Sequence, residues 1–332
     1  MTQTLLQVEG LKKYFPITSG WRRTTVGHVK AVDDVSFSIQ DGETLGLVGE
    51  SGCGKTTTGR LVLRLIECTS GSIRMNLGSG DVQVSDLRGE ELRLFRRHIQ
   101  MIFQDPYSSL NPRLTVFDII AEPLKALGHL SAAEIDDRVR QLMTDVGLRP
   151  QFLQRFPHAF SGGQRQRVCI ARSLALDPRL IVCDEPVSAL DVSVQAQIIN
   201  LMKDLQQEQG LTYLFIAHDL SVVENIATRV AVMYTGRIVE LAPTDELFAQ
   251  PRHPYTHALM SAVPRPDPKL RKARELLPGD VADPSDLPSG CAFHPRCRFA
   301  QDQCRQQAPA LREISGGHQV ACHLAEEIDL TE

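Results

Sequence analysis

The segment "TLGLVGESGCGKTTTGRLVL" (44–63) constrains the fold more than any other part of the chain. Its first six residues form a short apolar run of the kind a fully buried strand uses, and helical spacing takes over from Lys55. Between the two, "GESGCGKT" (Gly49 to Thr56) fits G-x-x-x-x-G-K-[ST] in the strand-to-helix setting that makes this pattern meaningful. Glycines let backbone N–H groups curl into an anion nest, and the start of the helix adds partial positive charge. The loop is therefore expected to receive the phosphates of a nucleotide. Lys55 would reach the β- and γ-phosphates, and the Thr56 hydroxyl would ligate Mg²⁺. Cys53 reads as a small residue suited to a tight loop rather than as a redox group.

Strand–helix alternation continues to about residue 235. "RLIVCDEP" (179–186) and "LTYLFIAHD" (211–219) are apolar strands ending in polar residues, and "DVSVQAQIINLMKDLQQEQG" (191–210) has helical spacing up to a terminal glycine. Such repetition predicts a parallel sheet covered by helices, with chemistry at the strands' C-terminal ends. The stretch of about 105–178 reads as an inserted, mainly helical subdomain ("VFDIIAEPLKALG", "SAAEIDDRVRQLMTDVG"). Beyond about 250 the composition turns to Pro, Asp and Ser, as in "LPGDVADPSDLPSG", so a domain of 1–250 and a C-terminal region of 251–332 are expected.

Net charge and hydropathy remove several function classes. A formal charge of -4 supplies no long-range attraction to nucleic acid or anionic lipid. No stretch of 18 apolar residues occurs, and the first residues lack a signal peptide's apolar core, so a cytosolic chain unable to cross a membrane by itself is expected. In that compartment the eight cysteines are not expected to form disulfides.

Further candidates follow from strand ends. Asp184 would complete the Mg²⁺ shell, directly or through water, and Glu185 would orient or deprotonate the attacking water. His218 follows a buried strand, where a sensor of the γ-phosphate would sit. Gln104, after the apolar run 101–103, would meet Mg²⁺ or the water. "FSGGQRQRV" (160–168) looks like a second phosphate-receiving turn at a helix start, about a hundred residues from the first.

Taken in order, "GESGCGKT", "FQDP", "FSGGQRQRV", "LIVCDEP", "SALD" and "IAHD" resemble the nucleotide-binding subunits of ABC transporters over roughly residues 5–265. The resemblance implies an α/β P-loop NTPase with a RecA-like core, an N-terminal antiparallel β subdomain, the inserted helical subdomain and a loop-rich, Cys-containing C-terminal extension. It implies Walker A contacts to ATP from Gly49, Glu50, Ser51, Gly52, Cys53, Gly54, Lys55, Thr56 and Thr57. Gln104 falls in the Q-loop, Ser161, Gly162, Gly163 and Gln164 in the signature motif, and Asp191 in the D-loop. Glu185 is then the catalytic carboxylate, His218 the switch histidine, and Mg²⁺ is held through Thr56, Gln104 and Asp184. An aromatic ring near the N-terminus normally stacks on adenine in this family; Tyr14 and Phe15 are candidates, with Phe15 favoured. Phe160 replaces the commoner leucine at the head of the signature, a hydrophobic exchange. By the same resemblance the signature turn caps the γ-phosphate held by a second subunit, so two chains pair head to tail around two shared sites.

"QDPYSSLNPRLTV", "HPYTHALMSAVP" and "PSGCAFHPRC" resemble the dipeptide, oligopeptide and nickel import branch. This implies two permease subunits, a second ATPase subunit (a copy or a paralogue), an extracellular or periplasmic solute-binding protein, and a peripheral place on the cytoplasmic face of a bacterial inner membrane. Peptides are the expected cargo, with nickel, opines or oligosaccharides as alternatives. A soluble ABC ATPase acting on nucleic acid or ribosomes is the competing class, but such chains usually carry long coiled-coil insertions or two cassettes. The tail cysteines Cys291, Cys297, Cys304 and Cys322 lack the paired C-x-x-C spacing of zinc ribbons. The branch resemblance implies a [4Fe–4S] cluster on them, while His294, His318 and His323 leave zinc open.

Overall fold

The computed structural model describes residues 3–21, 24–78, 80–262 and 277–330. Residues 263–276 of the Pro-rich linker lie outside the described residues. In chain order the first elements are β1 (Thr4–Ser19), β2 (Thr24–Gln40), β3 (Thr44–Val48), α1 (Lys55–Val62), β4 (Ser70–Asn76), β5 (Asp81–Gln83), α2 (Gly89–Phe95) and β6 (Ile99–Ile102). Next come α3 (Val116–Leu127), α4 (Ala132–Asp145), α5 (Gly162–Leu174), β7 (Leu180–Asp184), α6 (Val192–Gln209) and β8 (Thr212–Ile216). The last are α7 (Leu220–Ile226), β9 (Arg229–Tyr234), β10 (Arg237–Pro243), α8 (Thr244–Ala249), α9 (Pro254–Ser261), α10 (Asp302–Gln306), β11 (Arg312–Ser315) and β12 (His318–Val320). They divide into two compact units: Met1–Gln3 with Gln40–Glu43 and Asp86–Ile216, and Thr4–Ile39 with Thr44–Ser85 and Ala217–Glu332.

In the first unit β6, β7 and β8 run parallel, Ile99 opposite Leu180 and Leu180 opposite Thr212. Every residue of β7 and β8 is buried, which explains why both read as unbroken apolar runs rather than alternations. Helices α3, α4 and α5 pack on one another, and Ile119, Ile120, Val139, Leu142 and Val168 are among the apolar side chains they bury. Their starts are written into the sequence. The Thr115 hydroxyl accepts the Asp118 N–H, and Ser131 forms a reciprocal capping box with Glu134. Helices α3 and α6 stop at Gly128 and Gly210, both in the left-handed region that glycine enters without strain.

In the second unit an antiparallel sheet has the order β2-β1-β4-β5. A second set of strands joins β3 to β9 in parallel, then β10, β12 and β11 antiparallel. The tail is therefore less irregular than its composition implies, because β12 buries His318 and Val320 on alternate positions and pairs with β10 through Gln319 and Val320. Beneath it Tyr234, Tyr255 and Phe293 form an aromatic cluster with ring centroids 4.7, 5.3 and 5.5 Å apart. All three side chains are almost wholly buried.

Candidate nucleotide site

The phosphate loop of the second unit is built on glycines that could be nothing else. Gly49 and Gly54 have φ of 149° and 106°, and a Cβ would lie 2.2 Å from the Met233 carbonyl oxygen at the first and 2.2 Å from the Ala31 carbonyl oxygen at the second. The loop is pinned from outside by the Gly236 N–H, which donates to the Cys53 carbonyl at 2.8 Å. Lys55 is buried, and its ammonium donates to the carbonyls of Gly49 (2.7 Å) and Glu50 (3.0 Å). Those bonds compensate the buried charge within the loop. Cys53 is buried, and burial pushes its thiol pKa up despite Lys55 nearby, so it is a packed thiol and not a thiolate. Ser51 and Gly52 face solvent, and Thr56 and Thr57 are half-buried.

In the same unit the two N-terminal aromatics differ in freedom. Tyr14 donates its hydroxyl to Asp33, which also holds Arg237 at 2.6 Å. Burial, then the Asp33 carboxylate, push its phenol up to about 12. Phe15 keeps 39% of its surface exposed, with the Lys13 ammonium 5.0 Å above its ring. His218 is exposed just before α7, whose start is capped by Asp219.

The first unit gathers Gln104, Asp184 and Glu185. Asp184 ends β7 and is buried. Glu185 follows in the left-handed region at φ 48°, a conformation that costs a non-glycine residue about 1–2 kcal/mol. Its N–H donates to the Ile216 carbonyl at 2.9 Å, and its own carbonyl accepts the Ser188 hydroxyl at 3.1 Å. These bonds hold the strained turn, which aims the carboxylate at the Gln104 amide, 2.9 Å away.

The signature turn also lies in this unit. Ser161 caps α5, with its N–H donating to the Gln164 side chain (3.1 Å) and its hydroxyl accepting the Gln164 N–H (3.4 Å). A Cβ on Gly163 would stand 2.5 Å from Val194 Cγ1 on α6, and one on Gly162 would stand 3.3 Å from Leu190. Both glycines thus let the signature helix lie against the segment that carries Asp191, the exposed residue at the head of α6. Phe160 is buried, edge-on to Phe152.

In the tail, Cys291, Cys297, Cys304 and Cys322 all line one cavity of about 20 Å³, together with His294 and His323. Burial and the neighbouring sulfurs push the Cys322 thiol up to about 12. Among the described residues no group of three or more His, Cys, Asp or Glu side chains is placed to hold a metal ion. His318 belongs elsewhere: its ring lies 2.7 Å from the buried Glu240 carboxylate, which also accepts the N–H groups of Arg252 and His253. The zinc alternative loses that histidine because strand pairing turns it toward β10. Two residues not singled out from the sequence complete the loop's surroundings. The Tyr255 hydroxyl accepts the Glu50 N–H at 2.9 Å, and Arg296 donates twice to the Glu50 carboxylate at 2.9 and 3.2 Å. Both fall in segments notable only for family likeness ("HPYTH", "FHPRC"), and no local spacing marks their role.

The second unit carries a glycine cradle with a buried lysine, and the first carries a strand-end Asp–Glu pair with its glutamine; each is an element of the P-loop NTPase pattern. Comparison with known proteins narrows the class. The family model "ABC transporter" matches residues 32–188, and that for "Oligopeptide/dipeptide transporter, C-terminal region" matches 239–304. The chain is 55% identical over 98% of its length to a probable peptide ABC transporter ATP-binding protein of Sinorhizobium fredii, covering 91% of that protein. It is 52% identical over 97% of its length to an oligopeptide transport ATP-binding protein of Bacillus subtilis, covering 98% of it. Among solved structures it resembles a dimeric ATP-binding cassette in a post-hydrolysis state bound to ADP and Pi (TM-score 0.63, 28% identity, 72% of this chain and 98% of that one). A cassette from Clostridium perfringens, part of an ABC transporter complex, matches with TM-score 0.63 and 27% identity over 74% of this chain and 91% of that one. The chain belongs to the ABC transporter family as an ATP-binding subunit. Among the described residues no helix is long and apolar enough to cross a membrane.

Proposed function

We propose that the chain is the ATP-hydrolysing subunit of an importer that carries peptides across a membrane. The observation that carries this reading is the full-length likeness, cassette and tail together, to ATP-binding proteins of peptide transport. The loop suits a polyphosphate: its cradle has no room for a Cβ at Gly49 or Gly54, and its lysine is already desolvated and held by carbonyls. In the proposed cycle Lys55 exchanges those carbonyls for phosphate oxygens and Phe15 stacks on adenine. Mg²⁺, when bound, neutralises phosphate charge, and Thr56, Gln104 and Asp184 are the residues assigned to hold it. Glu185 takes the proton of the attacking water, and Gln104, hydrogen-bonded to it, keeps its carboxylate oriented. His218 senses the γ-phosphate. Ser161, Gly162, Gly163 and Gln164 close over the nucleotide of a second ATPase subunit, with Asp191 beside them.

The remaining partners are two permease subunits and a solute-binding protein, which places the chain peripherally on the cytoplasmic face of the inner membrane. Glu185→Gln tests the chemistry. It should still bind ATP and dimerise while turnover falls by roughly 10²–10⁴-fold, the range of a lost general base. Near-normal turnover in that variant would remove Glu185 from the mechanism. Peptide-stimulated ATPase activity of the chain assembled with its permeases tests the cargo, with nickel, opines and oligosaccharides as the competing substrates.

For the tail we propose a [4Fe–4S] centre on Cys291, Cys297, Cys304 and Cys322, one thiolate per iron. What supports this reading is the likeness of the tail to the oligopeptide/dipeptide import branch and the single cavity that all four sulfurs line, although among the described residues no three such side chains are placed to hold a metal ion. A cavity of about 20 Å³ admits roughly one water-sized body, so the thiols must turn outward to seat the cluster. Anaerobically purified chain should be brown and hold about four irons, whereas colourless protein with one zinc would overturn this assignment.

A further inference from the structure

We infer that Arg296, in the Cys-rich tail, is a positioning residue of the nucleotide site that acts through Glu50. This rests on the reading of residues 49–56 as the nucleotide loop. Glu50 is the second residue of that loop, and it is gripped at three points. Its N–H goes to the Tyr255 hydroxyl (2.9 Å), its carboxylate to two N–H groups of Arg296 (2.9 and 3.2 Å), and its carbonyl to the Lys55 ammonium (3.0 Å). Two of the three grips therefore come from beyond residue 250. The third is the lysine that the nucleotide must engage.

Arg296 is not a surface partner. Its side chain is 8% exposed and that of Glu50 is 27% exposed. Its backbone is fixed by a single turn, with the Arg296 N–H donating to the Phe293 carbonyl at 3.0 Å. Phe293 in turn packs edge-on to Tyr234 and tilted against Tyr255. One aromatic cluster thus sets both tail residues that hold Glu50.

The arrangement has an electrostatic consequence. A carboxylate in a loop that receives a polyphosphate opposes the ligand unless a cation offsets it. Arg296 supplies that cation in a two-bond fork, the geometry in which a guanidinium holds a carboxylate most firmly. It never needs to touch the nucleotide. Taking Arg296 away leaves a partly buried, uncompensated negative charge beside the phosphates.

The test uses the full chain and a fluorescent ATP analogue with Mg²⁺, reading Kd and Tm for wild type, R296M, R296Q, E50Q and E50Q/R296M. R296M and R296Q should raise Kd roughly three- to tenfold, the weight of one charge at a partly buried site. E50Q/R296M should return Kd most of the way to wild type, because the charge that Arg296 offsets is gone. A packing role for Arg296 would not be rescued in this way. The inference is overturned by a lower Tm with unchanged Kd in R296M and R296Q, or by a raised Kd that E50Q does not recover. If neither single variant folds, E50Q/R296M decides: wild-type binding supports charge compensation, and failure of the double variant to fold or bind overturns it. Failure of the wild type to bind the analogue would defeat the nucleotide reading instead.

Discussion

Replacing Gly163 by alanine separates two demands on the signature turn: contact with α6 and approach to a phosphate. The added Cβ would lie 2.5 Å from Val194 Cγ1, closer than side chains tolerate. Valine is stiff at χ1, so relief requires a rotamer change or a shift of α5 away from α6. Overpacking of this kind costs about 1–3 kcal/mol. Alanine in place of glycine at a helical position returns about 0.5–1 kcal/mol. The net expectation is a loss of roughly 1 kcal/mol, a fall in Tm of about 2–4 °C. Val194→Ala removes the obstructing methyls from a half-buried site, losing about 1 kcal/mol by itself. Combined with Gly163→Ala it should cost much less than the sum, with a coupling of about 1–2 kcal/mol read from thermal unfolding of the four proteins. A Gly163→Ala protein as stable as wild type, or an additive double variant, would refute the steric account. If the double variant regains stability yet fails to dimerise on ATP, the glycine is required by the nucleotide and not only by Val194.

Three further outcomes are expected. Phe15→Ala should weaken ATP binding by about 1–3 kcal/mol, the usual worth of an aromatic–base stack, whereas Tyr14→Phe should leave affinity alone and lower Tm through Asp33 and Arg237. Glu240→Gln should destabilise by at least about 1.5 kcal/mol, one hydrogen bond to a charged acceptor, because it replaces the carboxylate shared by Arg252, His253 and His318; unchanged urea unfolding would contradict this. In mixed dimers, Ser161→Arg in one subunit should abolish hydrolysis at the opposite subunit's phosphate loop, and loss at its own loop would show that the signature serves its own nucleotide.

Legibility in the sequence followed the range of the interactions. Gly49, Gly54 and Lys55 could be read because local backbone conformation demands them, and the structure finds no room for a Cβ at either glycine. The helix ends at Ser131, Gly128 and Gly210 were equally local. Gln104 could be picked out from the apolar run before it and named by family likeness, but its contact with Glu185 spans 81 positions that no periodicity connects. His318 was grouped with the cysteines by proximity in sequence, but pairing register decides where a strand side chain points, and β10 claims it. Arg296 and Glu50 lie 246 positions apart, and nothing short of the folded chain joins them.

The pairing of β12 with β10 has a consequence for solubility. With Val320 opposite Glu240 and Gln319 opposite Leu241, the tail takes up backbone donors and acceptors that β10 would otherwise present as an open template for other chains. The outermost strand becomes β11, only four residues long and carrying exposed Arg312 and Glu313, features that discourage further strand addition. The segment 312–320 thus guards a sheet margin. A chain truncated before residue 312 would keep its nucleotide motifs, and its first fault would be self-association along β10.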